Sequence, residues 1–438
     1  MDIITKPSLV IESQIYQDNK QWVLSKYCEV LRYGDYYCIY NSLVGSLVLL
    51  TELEYNNLLS PDQQNFFVKY WFIVPSGTDM VSIATSVKSK LVNPNAKKGK
   101  TNTFIIVTST ACNARCWYCF ECGIASKTMK IETAEDVVNF MLTHSNDGPI
   151  RIKWFGGEPL INQKVMDLIC TRLKEHNREY TSSTISNGSF FNDESIEKCK
   201  TLWNLKSVQI TLDGVGEKYN NVKNYINPEG DPFTTVINNI KKLGESGIRV
   251  QIRVNWSVNN YNDICELIEY YDKNIKGTKN VTMYLAPLTQ EFSTHDEEFS
   301  KQWLDVFLKL REQYPKYVNF FGSLTNHLHL SKTRCQVDGN AALILPDGKL
   351  SICDQHLHDS MGDIYSDNYD FDKIHAYAER NVDADVCYDC KIYPKCNRLK
   401  CCGYNHCTTS VRKYVKMGLR QKMKQEVHKY LKNKSNKS

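Results

Sequence analysis

The sequence predicts an α/β chain built on a partial (β/α)6 barrel, with a small α+β unit before it and a cysteine-rich extension after it. Three observations carry this expectation. Residues 103–313 alternate β-rich runs with amphipathic helical ones six times. A polar segment, VNPNAKKGKTN at 92–102, separates them from a differently patterned N-terminal stretch. Eight of the 17 cysteines crowd into 335–407. The expected units are 1–95, 96–320 and 321–412, followed by a basic helix and tail at 413–438.

In 1–95, strand-like runs (CEVLRY, YYCIYN, SLVLLT) separated by the turn signals RYGDY and NSLVG are followed by helix-like ones (TELEYNNLL, PDQQNFFVKYWF). The six later units begin with TFIIVTS (103–109), RIKWFG (151–156), SSTISN (182–187), SVQITLD (207–213), IRVQIRVNWSV (248–258) and NVTMYLAPL (280–288). The helical runs after them include IETAEDVVNFMLTHS, INQKVMDLICTRLKEHN, NDESIEKCKTL, PFTTVINNIKKLGESG, NDICELIEYYDK and a helix near 298–313. Six units are too few for a closed eightfold barrel and suit a partial one, whose chemistry sits where strands end and loops begin. From 321 the apolar period fades into short strands such as AALILPDGKLSIC. Ten basic residues in 411–438 predict a solvated terminal helix with a frayed end.

Length and composition narrow the class. A chain of 438 residues that is 42% hydrophobic can bury a sizeable core, and a net charge of +5 gives no reason to expect nucleic acid. The start MDIITKPSLV has no export signal and no apolar run is long enough to cross a bilayer, which predicts a cytoplasmic chain without membrane partners. In that compartment many cysteines point to metal or redox chemistry rather than disulfides. Cys28, Cys38, Cys170, Cys199 and Cys265 are scattered, and free cysteine packs as a small hydrophobe.

The first cysteine group, ACNARCWYCFECG at 111–123, puts Cys112, Cys116 and Cys119 in C-x3-C-x2-C spacing directly after the first barrel strand. Three thiolates can hold three irons of a four-iron cube and leave the fourth iron open to a chelating small molecule. The same spacing admits a structural zinc with Cys122 as fourth ligand, or a dithiol pair. One strand later, Trp154-Phe155-Gly156-Gly157-Glu158-Pro159 offers two glycines where backbone can approach a ligand and carbonyls can accept from an ammonium group.

Together these motifs resemble the radical S-adenosylmethionine (SAM) superfamily, and the resemblance extends over most of 103–313. It implies that Cys112, Cys116 and Cys119 bind a [4Fe-4S] cluster that chelates SAM and, once reduced, cleaves it to a 5′-deoxyadenosyl radical. It implies further that Gly156, Gly157 and Glu158 line the methionyl amine, that Tyr118 packs near the adenine, and that Ser186-Asn187-Gly188 lies by the ribose. Arg253 on strand five is placed to reach the SAM carboxylate, and Asp213 in Leu212-Asp213-Gly214 faces the cavity from the end of strand four. Each has a plainer reading: core packing for Tyr118, a turn cap for Asn187, an ion pair with a helix for Arg253, a turn for Asp-Gly.

The later cysteines resemble the SPASM extension of the same superfamily, which carries two auxiliary clusters and brings the total to three. On that resemblance Cys387, Cys390, Cys396 and Cys407 close one cluster, and Cys335, Cys353 and either Cys401 or Cys402 hold the other. Four residues separate Cys396 from the vicinal pair where the family usually has three, which leaves the choice within the pair open. Two four-thiolate zinc sites are the alternative. Asp354 follows Cys353, as an aspartate with a proton-accepting role does in sulfatase-maturing relatives; His356 and His358 stand close by. The N-terminal unit resembles the winged-helix-like leader-binding unit of peptide maturases. The implied activity is oxidative modification of a ribosomally made peptide, forming a thioether or carbon–carbon crosslink, with a one-electron donor such as flavodoxin or ferredoxin. The alternatives are formylglycine generation on a sulfatase and a cluster- or zinc-bearing peptide binder without catalysis.

Overall fold

The computed structural model describes residues 1–8, 21–59, 64–90, 100–288, 291, 296–320, 328–330, 341–351, 353–354, 357, 360–366, 385–393, 395–396 and 407–436. Cys335, Cys401, Cys402, His356 and His358 lie outside these residues, as does most of the expected linker.

The N-terminal unit contains β1 (Asp2–Thr5), β2 (Trp22–Leu24), β3 (Cys28–Tyr33), β4 (Tyr36–Asn41), β5 (Ser46–Thr51) and β6 (Ile73–Pro75), with helices α1 (Glu52–Asn56), α2 (Gln64–Lys69) and α3 (Met80–Lys90). The three strand-like runs expected at 28–51 form β3, β4 and β5, which with β1 make an antiparallel sheet in the order β1-β5-β4-β3. Helix α1 starts where Thr51 and Glu54 make a reciprocal capping box, as the TELE sequence suggests. Strands β2 and β6 form a separate antiparallel pair.

The barrel strands are β7 (Thr103–Ser109), β8 (Ile150–Gly156), β9 (Tyr180–Ser186), β10 (Leu205–Thr211), β11 (Arg249–Trp256) and β12 (Val281–Pro287). They pair in parallel in chain order. The helices that cover them are α4 (Ile131–His144), α5 (Gln163–Glu175), α6 (Asp193–Thr201), α7 (Glu217–Lys223), α8 (Pro232–Glu245), α9 (Tyr261–Asn274) and α10 (Glu297–Gln313). Burial alternates along these strands, so that β9 turns Tyr180, Ser182, Thr184 and Ser186 to one fully covered face and leaves its other positions half-buried. Helix α8 shows the matching period, burying Phe233, Val236, Ile237, Ile240 and Leu243 behind an Asp231 N-cap with Pro232 in the first turn.

The cysteine-rich extension continues the barrel sheet. Strand β13 (Ala342–Ile344) pairs in parallel with β7, and β14 (Lys349–Ser351) and β15 (Ser360–Asp363) follow antiparallel. Because β14 runs antiparallel to β13, Ser351 lies opposite Leu343, which in turn lies opposite Ile105 of β7.

The terminal helix corrects one expectation. Helix α11 (Thr409–Ser435) is packed, not solvated: Val411, Tyr414, Val415, Leu419, Met423 and Val427 are buried against α10 and the N-terminal sheet. Its basic residues serve that contact, since Arg420 and Lys416 reach the buried Glu29 of β3, and Lys434 pairs with Asp2 of β1. Cys28, Cys38, Cys170 and Cys199 are fully buried core residues as expected, while Cys265 is half-buried.

Candidate functional site

The first cysteine loop is closed at its neck before any cysteine appears. Thr110 donates its amide to the Lys127 carbonyl at 2.8 Å, its hydroxyl binds the Ala125 carbonyl at 2.7 Å, and Met129 N–H returns to Thr108 at 2.9 Å. Inside the loop, Ala114 N–H points at Cys112 Sγ (3.4 Å), and Cys119 N–H donates to the Cys116 carbonyl (3.1 Å). The three thiols sense one another: burial first, then Glu158, Cys116 and Cys119, push Cys112 up to about 11, and Cys119 is raised chiefly by burial. Burial thus favours the protonated thiol at Cys112 and Cys119.

The donor set fits a cluster. Among the described residues no three Cys, His, Asp or Glu side chains converge closely enough to hold a single metal ion. A tetrahedral zinc would draw its sulfurs to within about 4 Å of one another, given Zn–S bonds of about 2.3 Å. A cube of iron instead binds each thiolate at a different corner and asks for wider spacing. Cys122, the fourth zinc ligand in the alternative reading, is exposed.

The second loop is zipped onto the first. Gly157 N–H donates to Ser109 O (3.1 Å) and Glu158 N–H to Ala111 O (2.9 Å). A Cβ on Gly156, whose φ is +123°, would lie 2.1 Å from Ser109 O; one on Gly157 would lie 2.5 Å from Ala111 O. Both glycines are thus needed for backbone to meet backbone beside Cys112.

Glu158 is fully buried, and its carboxylate faces the third strand end rather than open space. It accepts from Ser186 Oγ (2.9 Å), Asn187 N–H (2.8 Å) and Leu160 N–H (3.2 Å), while burial pushes the carboxyl up to about 7. Asn187 passes the link on: its Nδ2 donates to Asn113 Oδ1 (2.7 Å) and lies 3.9 Å from Cys112 Sγ, and its Oδ1 takes Ser189 N–H (2.9 Å). Gly188 follows in a left-handed conformation with its amide on Ser186 Oγ at 3.0 Å. The loops after β7, β8 and β9 form one hydrogen-bonded rim.

Tyr118 and Asp213 meet below that rim. The Tyr118 hydroxyl donates to Asp213, and Asp213 forms a buried ion pair with Lys223 at 2.8 Å. Asp213 also accepts Asn255 N–H (3.3 Å). The carboxylate expected to face the cavity is therefore held by partners rather than free. Arg253 projects from β11 and donates Nε to Asn255 Oδ1 at 2.9 Å. Lys223 escaped the sequence reading. It sits on α7, a short helix whose sequence EKYNNVK carries two asparagines and a single aromatic.

At the other side of the mouth, Asp354 is paired with Lys153 Nζ at 2.9 Å, which ties the loop after β14 to β8. Glu121 from the cysteine loop stands beside them; burial and then Asp354 push its carboxyl up to about 7. Cys353 is buried next to Asp354. Further out, Cys390 N–H donates to the Cys387 carbonyl (3.0 Å) and Cys396 N–H to the Ile392 carbonyl (3.0 Å). Burial pushes Cys390 up to about 11, with Cys396 and Cys387 adding to it, so these three thiols are neighbours. Cys407 immediately precedes Thr408, the N-cap of α11, and its carbonyl accepts from Arg412 (2.8 Å).

The sequence profile of the radical SAM superfamily matches residues 106–285. The chain carries a radical SAM domain. The matched span includes the cysteine loop and the strand ends of β7 to β11. The chain is 24% identical over 266 residues to the probable GTP 3′,8-cyclase of Archaeoglobus fulgidus, covering 58% of this chain and 85% of that protein. It is 21% identical to the radical SAM cyclopropyl synthase TigE of Paramaledivibacter caminithermalis, covering 88% and 90%. Among solved structures its fold is similar to native anSMEcpe with bound AdoMet and Cp18Cys peptide (TM-score 0.54, 17% identity, 77% of this chain and 99% of that one). It is also similar to Streptococcus suis SuiB bound to its precursor peptide SuiA (TM-score 0.51, 14% identity, 86% and 95%).

Proposed function

We propose that this enzyme is a peptide maturase that oxidatively crosslinks side chains of a ribosomally made peptide, forming a thioether or carbon–carbon bond. The observation that carries the reading is that the extension joined to β7 sets Asp354 on Lys153 of β8 beside Glu121 of the cysteine loop, with Cys353 adjoining it. A radical SAM domain alone does not need that extension; a substrate oxidation that must dispose of a proton and an electron does. The similarity in fold to structures holding a peptide, SuiB with SuiA and anSMEcpe with Cp18Cys, supports a peptide substrate.

In this reading Cys112, Cys116 and Cys119 hold the SAM-binding cluster, Cys387, Cys390, Cys396 and Cys407 one auxiliary cluster, and Cys335, Cys353 and Cys401 or Cys402 the other. When bound, these groups and SAM supply a hydrogen-atom abstractor and an electron acceptor, with flavodoxin or ferredoxin as the one-electron donor. The protein's own part is to position and to move a proton. Gly156 and Gly157 shape the wall by the methionyl amine, Glu158 and Ser186 fix Asn187 by the ribose, Tyr118 packs by the adenine and Arg253 reaches toward the carboxylate. Asp354, steadied by Lys153, takes the proton released as the substrate is oxidised.

The N-terminal unit binds the leader. Val23, Leu24, Val74, Pro75 and Met80 line a groove of about 300 Å³ beside the β2–β6 pair. Among the described residues that pair is two-stranded, which leaves strand edges for an extended peptide to join.

Anaerobic reconstitution with iron and sulfide tests the reading. The expected result is about twelve irons per chain, four per cube, dithionite-dependent release of 5′-deoxyadenosine, and a peptide product lighter by two hydrogens. A second reading, formylglycine generation, is consistent with the similarity in fold to anSMEcpe holding its Cp18Cys peptide; conversion of a sulfatase-derived Cys or Ser peptide to an aldehyde would establish it instead. Tightly held zinc with no SAM cleavage would leave only a peptide binder.

A further inference from the structure

Lys223 grips the cysteine loop with both ends of the residue. Its carbonyl oxygen accepts Arg115 N–H at 2.8 Å and lies 3.9 Å from Cys116 Sγ. Its ammonium donates to the Tyr118 hydroxyl at 2.9 Å and pairs with Asp213 at 2.8 Å. The left-handed Asn224 ends the helix and turns the chain back, so that Ile226 N–H donates to Asn113 O at 2.8 Å. One short segment thereby holds residues 113, 115, 116 and 118, which surround two of the three motif cysteines.

The burial is as notable as the contacts. Lys223 and Asp213 side chains are each only 3% exposed, and Lys223 Nζ lies 5.6 Å and 5.8 Å from the centres of the Tyr118 and Tyr219 rings. A buried ion pair is seldom kept for stability alone, because desolvation cancels much of the attraction. Here the pair belongs to the residue whose carbonyl lies against the sulfur of Cys116.

We infer that Lys223 is a positioning residue of the cluster site, whose ammonium, balanced by Asp213, fixes the loop and sets the charge that the cluster experiences on reduction. The inference rests on the reading that Cys112, Cys116 and Cys119 bind a [4Fe-4S] cluster. Reduction adds one electron to that centre. An unbalanced negative charge nearby opposes it and an unbalanced positive charge assists it. At the effective dielectric of a protein interior, one such charge one loop away changes the reduced fraction about tenfold, equal to about 59 mV for one electron.

The test is redox titration of the reconstituted full-length enzyme. The SAM-binding cluster is read by the EPR signal that changes on adding SAM. Lys223→Met should lower its reduced fraction at fixed potential about tenfold, and Asp213→Asn should raise it about tenfold. The double variant should return to within threefold of wild type, and Lys223→Arg, which keeps the charge, should stay there too. Two single variants that both titrate as wild type, or that shift the same way, overturn the inference. If Lys223→Met does not load iron, Asp213→Asn and Lys223→Arg decide it by the same values. A wild-type protein with no SAM-responsive cluster would instead overturn the parent reading.

Discussion

Replacing Gly157 with Ala adds one methyl group to the tightest backbone contact in the site. Gly157 has no left-handed φ, so the substitution carries no conformational penalty of its own, and its effect is steric. The new Cβ would meet Ala111 O at 2.5 Å, Ala111 C at 2.7 Å and Thr110 O at 2.7 Å. These contacts are far inside the roughly 3.5–4.0 Å optimum for carbon atoms, and all three partners are backbone, which cannot rotate aside. Relief requires the cysteine loop and the β8 exit to part. Overpacking of this kind costs about 1–3 kcal/mol, and weakening the Gly157–Ser109 and Glu158–Ala111 hydrogen bonds adds about 1 kcal/mol. The matched control is Gly277→Ala, where φ is ordinary and nothing lies within 4 Å; there the change should be neutral or stabilise by up to about 1 kcal/mol. Thermal unfolding of the two variants side by side should show Gly157→Ala melting several degrees below wild type and Gly277→Ala at or above it. Because Ala111 adjoins Cys112, Gly157→Ala should also retain less iron and cleave less SAM. A Gly157→Ala protein that melts with the control and cleaves SAM at the wild-type rate would refute the steric argument.

Single Ala replacements at Cys112, Cys116 and Cys119 should each abolish 5′-deoxyadenosine release, whereas Cys122→Ala should change it less than twofold; equal losses at all four would favour a four-thiolate metal site. Asp354→Asn and Lys153→Met should leave SAM cleavage intact and slow peptide oxidation roughly 10²-fold or more, the usual scale of a lost general base; parallel loss of cleavage would mean the pair merely holds the fold. Burial pushes Glu291 up to about 7, so the folded state holds a proton there that the unfolded chain releases near the ordinary carboxylate range. Stability should therefore fall as pH rises from about 4.5 to 7. Glu291→Gln should make that part of the melting-temperature profile less steep, Glu121 and Glu158 supplying the remaining slope, and an unchanged slope would reject the assignment.

The barrel was legible because its signal is local. Each strand is a β-rich run of seven or eight residues and each covering helix repeats its apolar positions every three to four, so neither needs a distant partner to be recognised. The terminal helix was equally legible by period, since Val411, Val415, Leu419, Met423 and Val427 step by four; its charge count obscured a face the spacing already gave. Strands β2 and β6, three residues each, are too short to show an alternation. Lys223 was invisible for a different reason. The residues that make a buried ammonium tolerable are Asp213 and Tyr118, and Tyr118 is 105 positions away. Gly-Gly-Glu shows the same limit: sequence located the motif at a strand end but not the direction in which Glu158 points.

The unclosed barrel explains why a macromolecular substrate suits this site. A closed eight-stranded barrel fills its interior with side chains. Here six parallel strands end at β12, and among the described residues no strand lies beyond it; the Leu285 amide there is taken by the Tyr317 carbonyl. The inner faces of the last three strands are polar and half-buried: Tyr284 on β12 donates to Gln209 on β10 at 2.9 Å, reaching across β11, where Arg253 stands between them. The first three strands carry the rim assigned to the cluster and SAM. At the opposite edge β13 extends the sheet, and the chain beyond β14 sets Asp354 on Lys153 of β8. On the proposed reading, a peptide entering along the polar half would meet Asp354 on one side and the Lys223-braced loop on the other, a division that follows from which sheet edge the extension joined.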